Sequence, residues 1–302
     1  KFDFPEKNIR YLTDEEATLS EIKLALDDIS TSADASDRIL VFYSGHGETQ
    51  KNIDGTETGY IIPVEGRQDK PYATGLAMDE ILRTCQMSNA KHMLFLMDAC
   101  YSGLMTENVK GISTPQVEGY LSKVANEKAR QIITAGGGDE QVIERDEWQH
   151  SAFTKNLIEG FDTWEADYNK DGCITADELS TYLRENVTED SDFQQTPQDG
   201  RFRNSGGGEF VFFGTRDTQI EAEVSLIKEK QVEDAKDEQS INKYKYQITA
   251  STTLESLALD KKSERQLKSG GILAVSGFLF FIDTGSSSSN NILKVVGVIG
   301  SG

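Results

Sequence analysis

The chain has 302 residues, 37% hydrophobic and 27% charged, a composition typical of a globular protein with one large domain or two modest ones. Its net charge of −20 argues against a nucleic-acid-binding surface, which needs clustered Lys and Arg, and suits calcium or basic peptides as partners. The 3 cysteines have no paired spacing, so we expect no disulfide framework and a reducing compartment such as the cytoplasm.

Apolar runs alternate with helical patterns over residues 1–217. Thr13 followed by Glu16 has the form of a capping box, which predicts a helix start. "RILVFY" and "HMLFLM" are near-continuous apolar runs, typical of strands buried on both faces of a parallel sheet. Further strands are predicted at 131–135 and 209–213, and helices in "LAMDEILRTCQM", "SAFTKNLIEGF" and "ADELSTYLREN". The alternation predicts an α/β fold, with a mostly parallel sheet flanked by helices.

Beyond this region the composition changes twice. Residues 218–268 are densely charged and are predicted to form a helical connector. Residues 269–302 form an apolar tail rich in Gly and Ser, whose first apolar run is shorter than the ~20 residues that span a bilayer. Two interpretations of this tail stay open, a membrane-associated hairpin and a β-hairpin around a Ser-rich loop.

Two of the buried runs end at a potentially reactive residue beside glycine. His46 follows the first run in "YSGHG", and Cys100 follows the second in "DACYSG". Neighbouring parallel strands would bring both residues to the same carboxyl edge of the sheet. An imidazole beside a thiol promotes formation of the nucleophilic thiolate. The pattern therefore predicts a His–Cys dyad, with the amides of Gly47 and Cys100 as oxyanion donors.

These two motifs, in this order, resemble those of caspase-like cysteine peptidases, and are most similar to the bacterial metacaspase-like (orthocaspase) branch. The resemblance covers about residues 1–215. It implies a caspase–haemoglobinase fold with a His–Cys dyad at His46 and Cys100. The family fold begins with a strand and a helix ahead of "FPEKNIRYLTDEEAT", so we expect this chain to lack the first strand.

Asp98, two residues before the cysteine, stands where animal caspases carry Gln. An acid at the floor of the specificity pocket favours Arg or Lys before the scissile bond, as the resemblance to metacaspases also implies. The resemblance further implies a second pocket acid just after the 131–135 strand, which we assign to Asp139, with Glu140 as the alternative. We expect Ser44 to line the same pocket.

The segment "DYNKDGCITADE" matches an EF-hand calcium loop position by position. Gly172 stands at the turn position, and helices are predicted on both sides. The loop predicts Ca²⁺ as the cofactor, in a structural or a regulatory role. The predicted ligands are Asp167, Asn169, Asp171, the carbonyl of Cys173, Thr175 and the bidentate Glu178.

The sequence thus predicts a cysteine endopeptidase that cleaves protein or peptide substrates after Arg or Lys and contains a calcium loop at 167–178. Two alternatives remain. One is a non-catalytic, calcium-binding interaction module with a caspase-like fold, although both dyad residues are present. The other is an aspartate-specific caspase, which the absence of "QAC" and the presence of Asp98 disfavour.

Overall fold

A computed structural model of the protein describes residues 8–100, 106–107, 120–138, 140–203, 205–214, 276–284 and 292–300. The helices are α1 (Leu19–Ser32), α2 (Pro71–Thr74), α3 (Met78–Met87), α4 (Tyr120–Asn126), α5 (Ala152–Thr163) and α6 (Ala176–Asp190). The strands are β1 (Ile9–Thr13), β2 (Arg38–Ser44), β3 (Gly47–Lys51), β4 (Glu57–Ile61), β5 (Leu76–Ala77), β6 (His92–Cys100), β7 (Thr106–Glu107), β8 (Ala129–Gly136), β9 (Glu144–Arg145), β10 (His150–Ser151), β11 (Cys173–Thr175), β12 (Gln198–Phe202), β13 (Val211–Phe213), β14 (Ser276–Thr284) and β15 (Ile292–Gly300).

Three parallel strands, β2, β6 and β8, form the centre of an eight-stranded mixed sheet with the order β1-β15-β14-β2-β6-β8-β12-β7. Helices cover both faces of the sheet at these strands, and successive side chains of a strand point to opposite faces. Side chains on both faces of these strands are therefore mostly apolar. Val41 and Phe95 pack in one core with helices α1 and α3, whereas Leu40 and Leu94 pack in a second core with α5 and α6. The predicted α/β class, with a mainly parallel sheet flanked by helices, is confirmed.

The predicted start of the first helix is wrong. Thr13 ends β1 and makes no capping hydrogen bond, and a short 3-10 helix precedes α1. The helix is capped instead by Thr18, whose hydroxyl accepts a hydrogen bond from the amide of Glu21. The sequence "TLSE" has the same Thr-x-x-Glu form, and the buried face of the helix begins just after it, at Ile22.

Arg130 lies on β8 with its guanidinium buried at the end of the sheet opposite the carboxyl edge of β2 and β6. Its five N–H donors all have carbonyl acceptors, which belong to Cys85, Ser88, Ala90, Lys91 and Ala129. These bonds fasten the end of α3 and the following loop to β8. A buried cation is tolerated here because every donor is satisfied.

The apolar tail contributes the antiparallel strands β14 and β15, which lie between β1 and β2 in the sheet. The described residues between 8 and 214 and those between 276 and 300 belong to one compact unit. The predicted connector at 218–268 lies outside the described residues. None of the helices that the structure describes is both long and apolar enough to cross a membrane.

Candidate active site

The carboxyl ends of β2 and β6 lie side by side. The parallel register places Ser44 opposite Asp98, so His46 and Cys100 each stand two positions beyond a paired residue. The amide of Gly45 donates to the carbonyl of Asp98 at 3.3 Å and continues the pairing past the end of β2. Both residues of the predicted dyad therefore leave neighbouring strands at one edge of the sheet.

His46 is exposed at this edge, and its backbone is fixed from two sides. Its carbonyl accepts hydrogen bonds from the Tyr43 hydroxyl at 2.6 Å and from the amide of Ile62 at 3.0 Å. A Cβ on Gly45 would lie only 2.6 Å from the Tyr43 hydroxyl oxygen, so glycine is required for this approach. A cavity of about 490 Å³ opens beside the imidazole, with Val64 among its apolar lining residues.

Cys100 is the last residue of β6, and its side chain lies outside the described part of the molecule. Its backbone is opposite Gly136 of β8, after a register shift that begins at Met97. Such irregularities are common where a strand re-aims a side chain beside a functional site. Gly47, the other predicted oxyanion donor, is the first residue of β3 and pairs with Ile61 of β4.

Asp98 is buried, only 3% exposed, and its two carboxylate oxygens have different surroundings. Oδ2 accepts hydrogen bonds from three hydroxyls, those of Ser44 at 3.3 Å, Ser151 at 2.6 Å and Thr154. Oδ1 is buried and has no hydrogen-bond partner among the residues that the structure describes. Burial raises the pKa of Asp98 to about 6, partly offset by the hydroxyl donors. A buried acceptor left open in this way is a natural place for a cationic donor.

Glu144 is an acid near Asp98 that the sequence did not single out. The antiparallel pair β9–β10 places it opposite Ser151, and its negative charge contributes to the raised pKa of Asp98. Of the two predicted second acids, Asp139 lies outside the described residues. Glu140 accepts hydrogen bonds from the amides of Gly137 and Thr196 with the same oxygen, so it anchors its loop.

Comparison with protein families identifies the domain in which His46 and Cys100 lie at one edge of the sheet. The model of the Caspase domain matches residues 4–202, about two thirds of the chain. The chain belongs to the caspase domain family. Membership implies a cysteine peptidase in general, acting on proteins or peptides.

The other comparisons are less informative. No curated protein matches the chain. Among solved structures, a Geobacter sulfurreducens protein matches with 15% sequence identity and a TM-score of 0.41, covering 63% of this chain and 75% of that chain. Similarity at this level says nothing about function.

The second acidic site of this caspase domain is the loop between α5 and α6. Its carboxylates accept hydrogen bonds from the loop's own amides: Asp167 from those of Asp171 and Gly172, and Asp171 from that of Cys173, at 2.9–3.2 Å. Asn169 also accepts from the amide of Asp171. Gly172 has a φ of +80°, which glycine adopts without strain. The loop is thus closed around the oxygens of its own side chains.

Glu178 ends this loop and is buried in the first turn of α6. Its Oε2 accepts hydrogen bonds from the amide and the hydroxyl of Thr175, whereas its Oε1 is buried without a hydrogen-bond partner in the described part of the chain. Burial, together with the charges of Asp167 and Asp171, raises the pKa of Glu178. Within the described ranges, no group of three or more His, Cys, Asp or Glu side chains is gathered closely enough to hold a metal ion.

The strand inside the loop, β11, pairs with β13. Val211 of β13 in turn accepts a hydrogen bond from the guanidinium of Arg38, the first residue of β2. The Arg38 guanidinium also lies 4.7 Å from the centre of the Phe213 ring. The acidic loop is therefore attached to the strand whose other end leads to His46.

Proposed function

We propose that this caspase domain is an endopeptidase of the metacaspase-like branch that cleaves after Arg or Lys. The observation that carries the proposal is the carboxylate of Asp98, which is buried two residues before Cys100 with one oxygen open. A guanidinium or ammonium group would fill the open position and compensate the buried charge. An aspartate side chain at the same place would be repelled.

In the proposed mechanism His46 accepts the proton of the Cys100 thiol, and the resulting thiolate attacks the carbonyl carbon of the scissile peptide bond. The amides of Gly47 and Cys100 stabilise the oxyanion. When the C–N bond breaks, His46 donates its proton to the leaving amine. Water, deprotonated by His46, then attacks the thioester and releases the acid product and the free thiol.

The specificity pocket in this proposal is built around Asp98 and Ser44, with Glu144 adding negative potential at its entrance. Glu144 is supported by its electrostatic effect on Asp98. Asp139 remains a candidate for a second pocket acid. Glu140 is the weaker choice, because its one bonded oxygen already serves two backbone amides.

The test is hydrolysis of fluorogenic peptides that end in Arg, Lys or Asp, with Cys100→Ala as the control. We expect cleavage after Arg and Lys, little after Asp, and none by the variant. Cleavage after Asp alone would favour the aspartate-specific alternative. No cleavage by a folded protein would favour the non-catalytic interaction module.

We also propose that the loop at 167–178 binds Ca²⁺. The fit rests on its hard oxygen donors, on the amide hydrogen bonds that orient the loop side chains, and on the open, buried Oε1 of Glu178. Asp167, Asn169, Asp171, the carbonyl of Cys173, Thr175 and Glu178 would hold the ion. Glu178 would exchange its hydrogen bonds with Thr175 for the cation. The ion would supply positive charge that compensates three neighbouring carboxylates.

Calcium binding is tested by thermal unfolding with Ca²⁺, Mg²⁺ or a chelator. A ligand that binds only the folded state stabilises it, so we expect the Tm to rise with Ca²⁺. Glu189→Gln, which changes an exposed acid on the same helix, should retain the shift, whereas Asp171→Ala should lose it. An unchanged Tm of the wild type at millimolar Ca²⁺ would contradict the proposal.

A further inference from the structure

The amino end of α5 lies against Asp98. Ser151, which caps the helix, accepts a hydrogen bond from the amide of Thr154 and donates its own hydroxyl proton to Oδ2 of Asp98. The hydroxyl of Thr154 donates to the same oxygen. Two side chains from one helical turn therefore converge on one atom of the carboxylate.

This arrangement has two physical consequences. Because Oδ2 is held by donors from a fixed helix turn, the carboxylate plane is fixed, and Oδ1 keeps its lone pairs for another partner. Because the donors are neutral hydroxyls at the positive end of a helix dipole, they favour the ionised carboxylate without cancelling its charge. A Lys or Arg in place of Ser151 or Thr154 would itself neutralise Asp98 and leave no negative charge for a cation of the substrate.

We propose that Ser151 and Thr154 are positioning residues that keep Asp98 ionised and direct its free oxygen toward the basic side chain of the substrate. This inference rests on the proposed cleavage after Arg or Lys. Neither residue touches the scissile bond, so both act through Asp98. They determine how tightly a basic residue is held and leave the chemical step unaffected.

The groups around Asp98 set its pKa, so the proposed role of Ser151 and Thr154 predicts a change in the pH dependence of substrate binding. The charge of Glu144 on β9 acts on Asp98 electrostatically, the buried Tyr43 on β2 also interacts with it electrostatically, and Ser44 supplies the third hydroxyl. Burial and Glu144 raise the pKa of Asp98 to about 6, while the hydroxyl donors oppose that rise. Removing a donor should move the pKa higher. Less of the carboxylate is then ionised at neutral pH, and binding of an arginine side chain weakens.

The experiment measures kcat and KM for an arginine peptide between pH 5 and pH 8. The decisive variant is Thr154→Val, which keeps the shape of the side chain, removes the hydroxyl and leaves the cap of α5 intact. We expect KM to rise by about two- to tenfold at pH 7, with kcat within twofold of the wild type. The acid limb of kcat/KM should move to higher pH. Ser151→Ala should act in the same direction.

Four further variants separate the alternative explanations. Thr154→Ser and Ser151→Thr retain a hydroxyl and should restore KM, and Thr31→Val on α1 should behave as the wild type. A wild-type KM and pH profile for Thr154→Val would overturn the inference, as would a loss confined to kcat. Asp98→Asn tests the proposed function itself: if it cleaves after Arg as well as the wild type does, the pocket assignment fails whatever Thr154 does.

Discussion

The pocket of Asp98 and the loop ending at Glu178 share one arrangement of hydrogen bonds but differ in the charges that surround it. In each, one oxygen of a buried carboxylate accepts hydrogen bonds from donors at a helix amino terminus, and the other oxygen has no partner among the described residues. Around Asp98 the donors are hydroxyls and the other nearby acid is exposed. Around Glu178 two more loop carboxylates, Asp167 and Asp171, raise the negative charge. On this basis we propose that the number of neighbouring charges distinguishes the substrate pocket, which would take an organic monocation, from the loop, which would take a divalent metal.

The largest expected effect comes from removing the charge of the first site. Asp98→Asn should lower kcat/KM for an arginine peptide by roughly 10²-fold, since losing one partner of a buried charged pair costs about 3 kcal/mol. The Tm of Asp98→Asn should still rise when Ca²⁺ is added. Asp27→Asn, at an exposed position on α1, is the matched control. An equal loss in both variants would contradict the assignment.

Arg130 contrasts with both carboxylates, because it is a buried charge whose N–H donors all have acceptors. We expect it to contribute to stability, with no role in recognition. Arg130→Lys supplies fewer donors and strands several buried carbonyls, so the free energy of unfolding should fall by about 3 kcal/mol. Chemical denaturation measures this change. A shifted KM for the arginine peptide in the folded variant would show that a satisfied charge also affects the pocket.

The second site is tested by Glu178→Gln, which retains the size of the side chain and removes its charge. Wild-type protein should gain about 2.7 kcal/mol of stability at a calcium concentration of 100 times Kd. The variant should lose most of that gain at the same concentration. Isothermal titration gives the affinity directly, and an unchanged Kd would remove Glu178 from the ligand set.

The pH dependence of the first site follows from the pKa of about 6 for Asp98, which is raised mainly by burial. The carboxyl must be ionised to attract a cation. Below pH 6 it takes up a proton, and affinity for an arginine peptide should fall by roughly tenfold per pH unit. Binding to Cys100→Ala isolates this effect from catalysis. Constant affinity from pH 7 to pH 4.5 would mean that Asp98 does not contact the basic side chain.

The smallest effect is expected at the edge of the sheet. Tyr43→Phe keeps the ring against Gly45 and removes the hydrogen bond to the carbonyl of His46. Losing one such bond costs about 1 kcal/mol, so kcat should fall by about fivefold with KM little changed. A change in KM alone would place Tyr43 in substrate binding.

The centre of the fold could be predicted from sequence because its signals are local. β2, β6 and β8 are apolar on both faces, so each is visible as a continuous run. β12, "QDGRF", is polar and was missed, because antiparallel pairing with β8 defines it as a strand. "EFVFF" is shorter than predicted and pairs with β11 in a separate two-stranded sheet.

The site was predicted unevenly for the same reason. His46 and Cys100 each carry a glycine-flanked motif, and the acidic loop has fixed spacing. Ser151, Thr154 and Glu144 reach Asp98 only through contacts between distant segments, which periodicity does not report. The one local signal was the serine before "AFTKNL", a typical helix cap. A cap explains the hydroxyl without pointing to the carboxylate that it also serves.

Helix α5 joins the two acidic sites. At one end Thr154 contacts Asp98, and at the other the chain passes into the loop that begins at Asp167. Its 12 residues span about 18 Å, and Lys155 fastens it to Asp190 at the far end of α6. The helix therefore connects the proposed substrate pocket at Asp98 to the proposed calcium loop. A ligand that displaced the helix at one end would also disturb the contacts at its other end. Binding at the two ends would then be coupled, and thermodynamic reciprocity requires the coupling free energy to be the same in both directions.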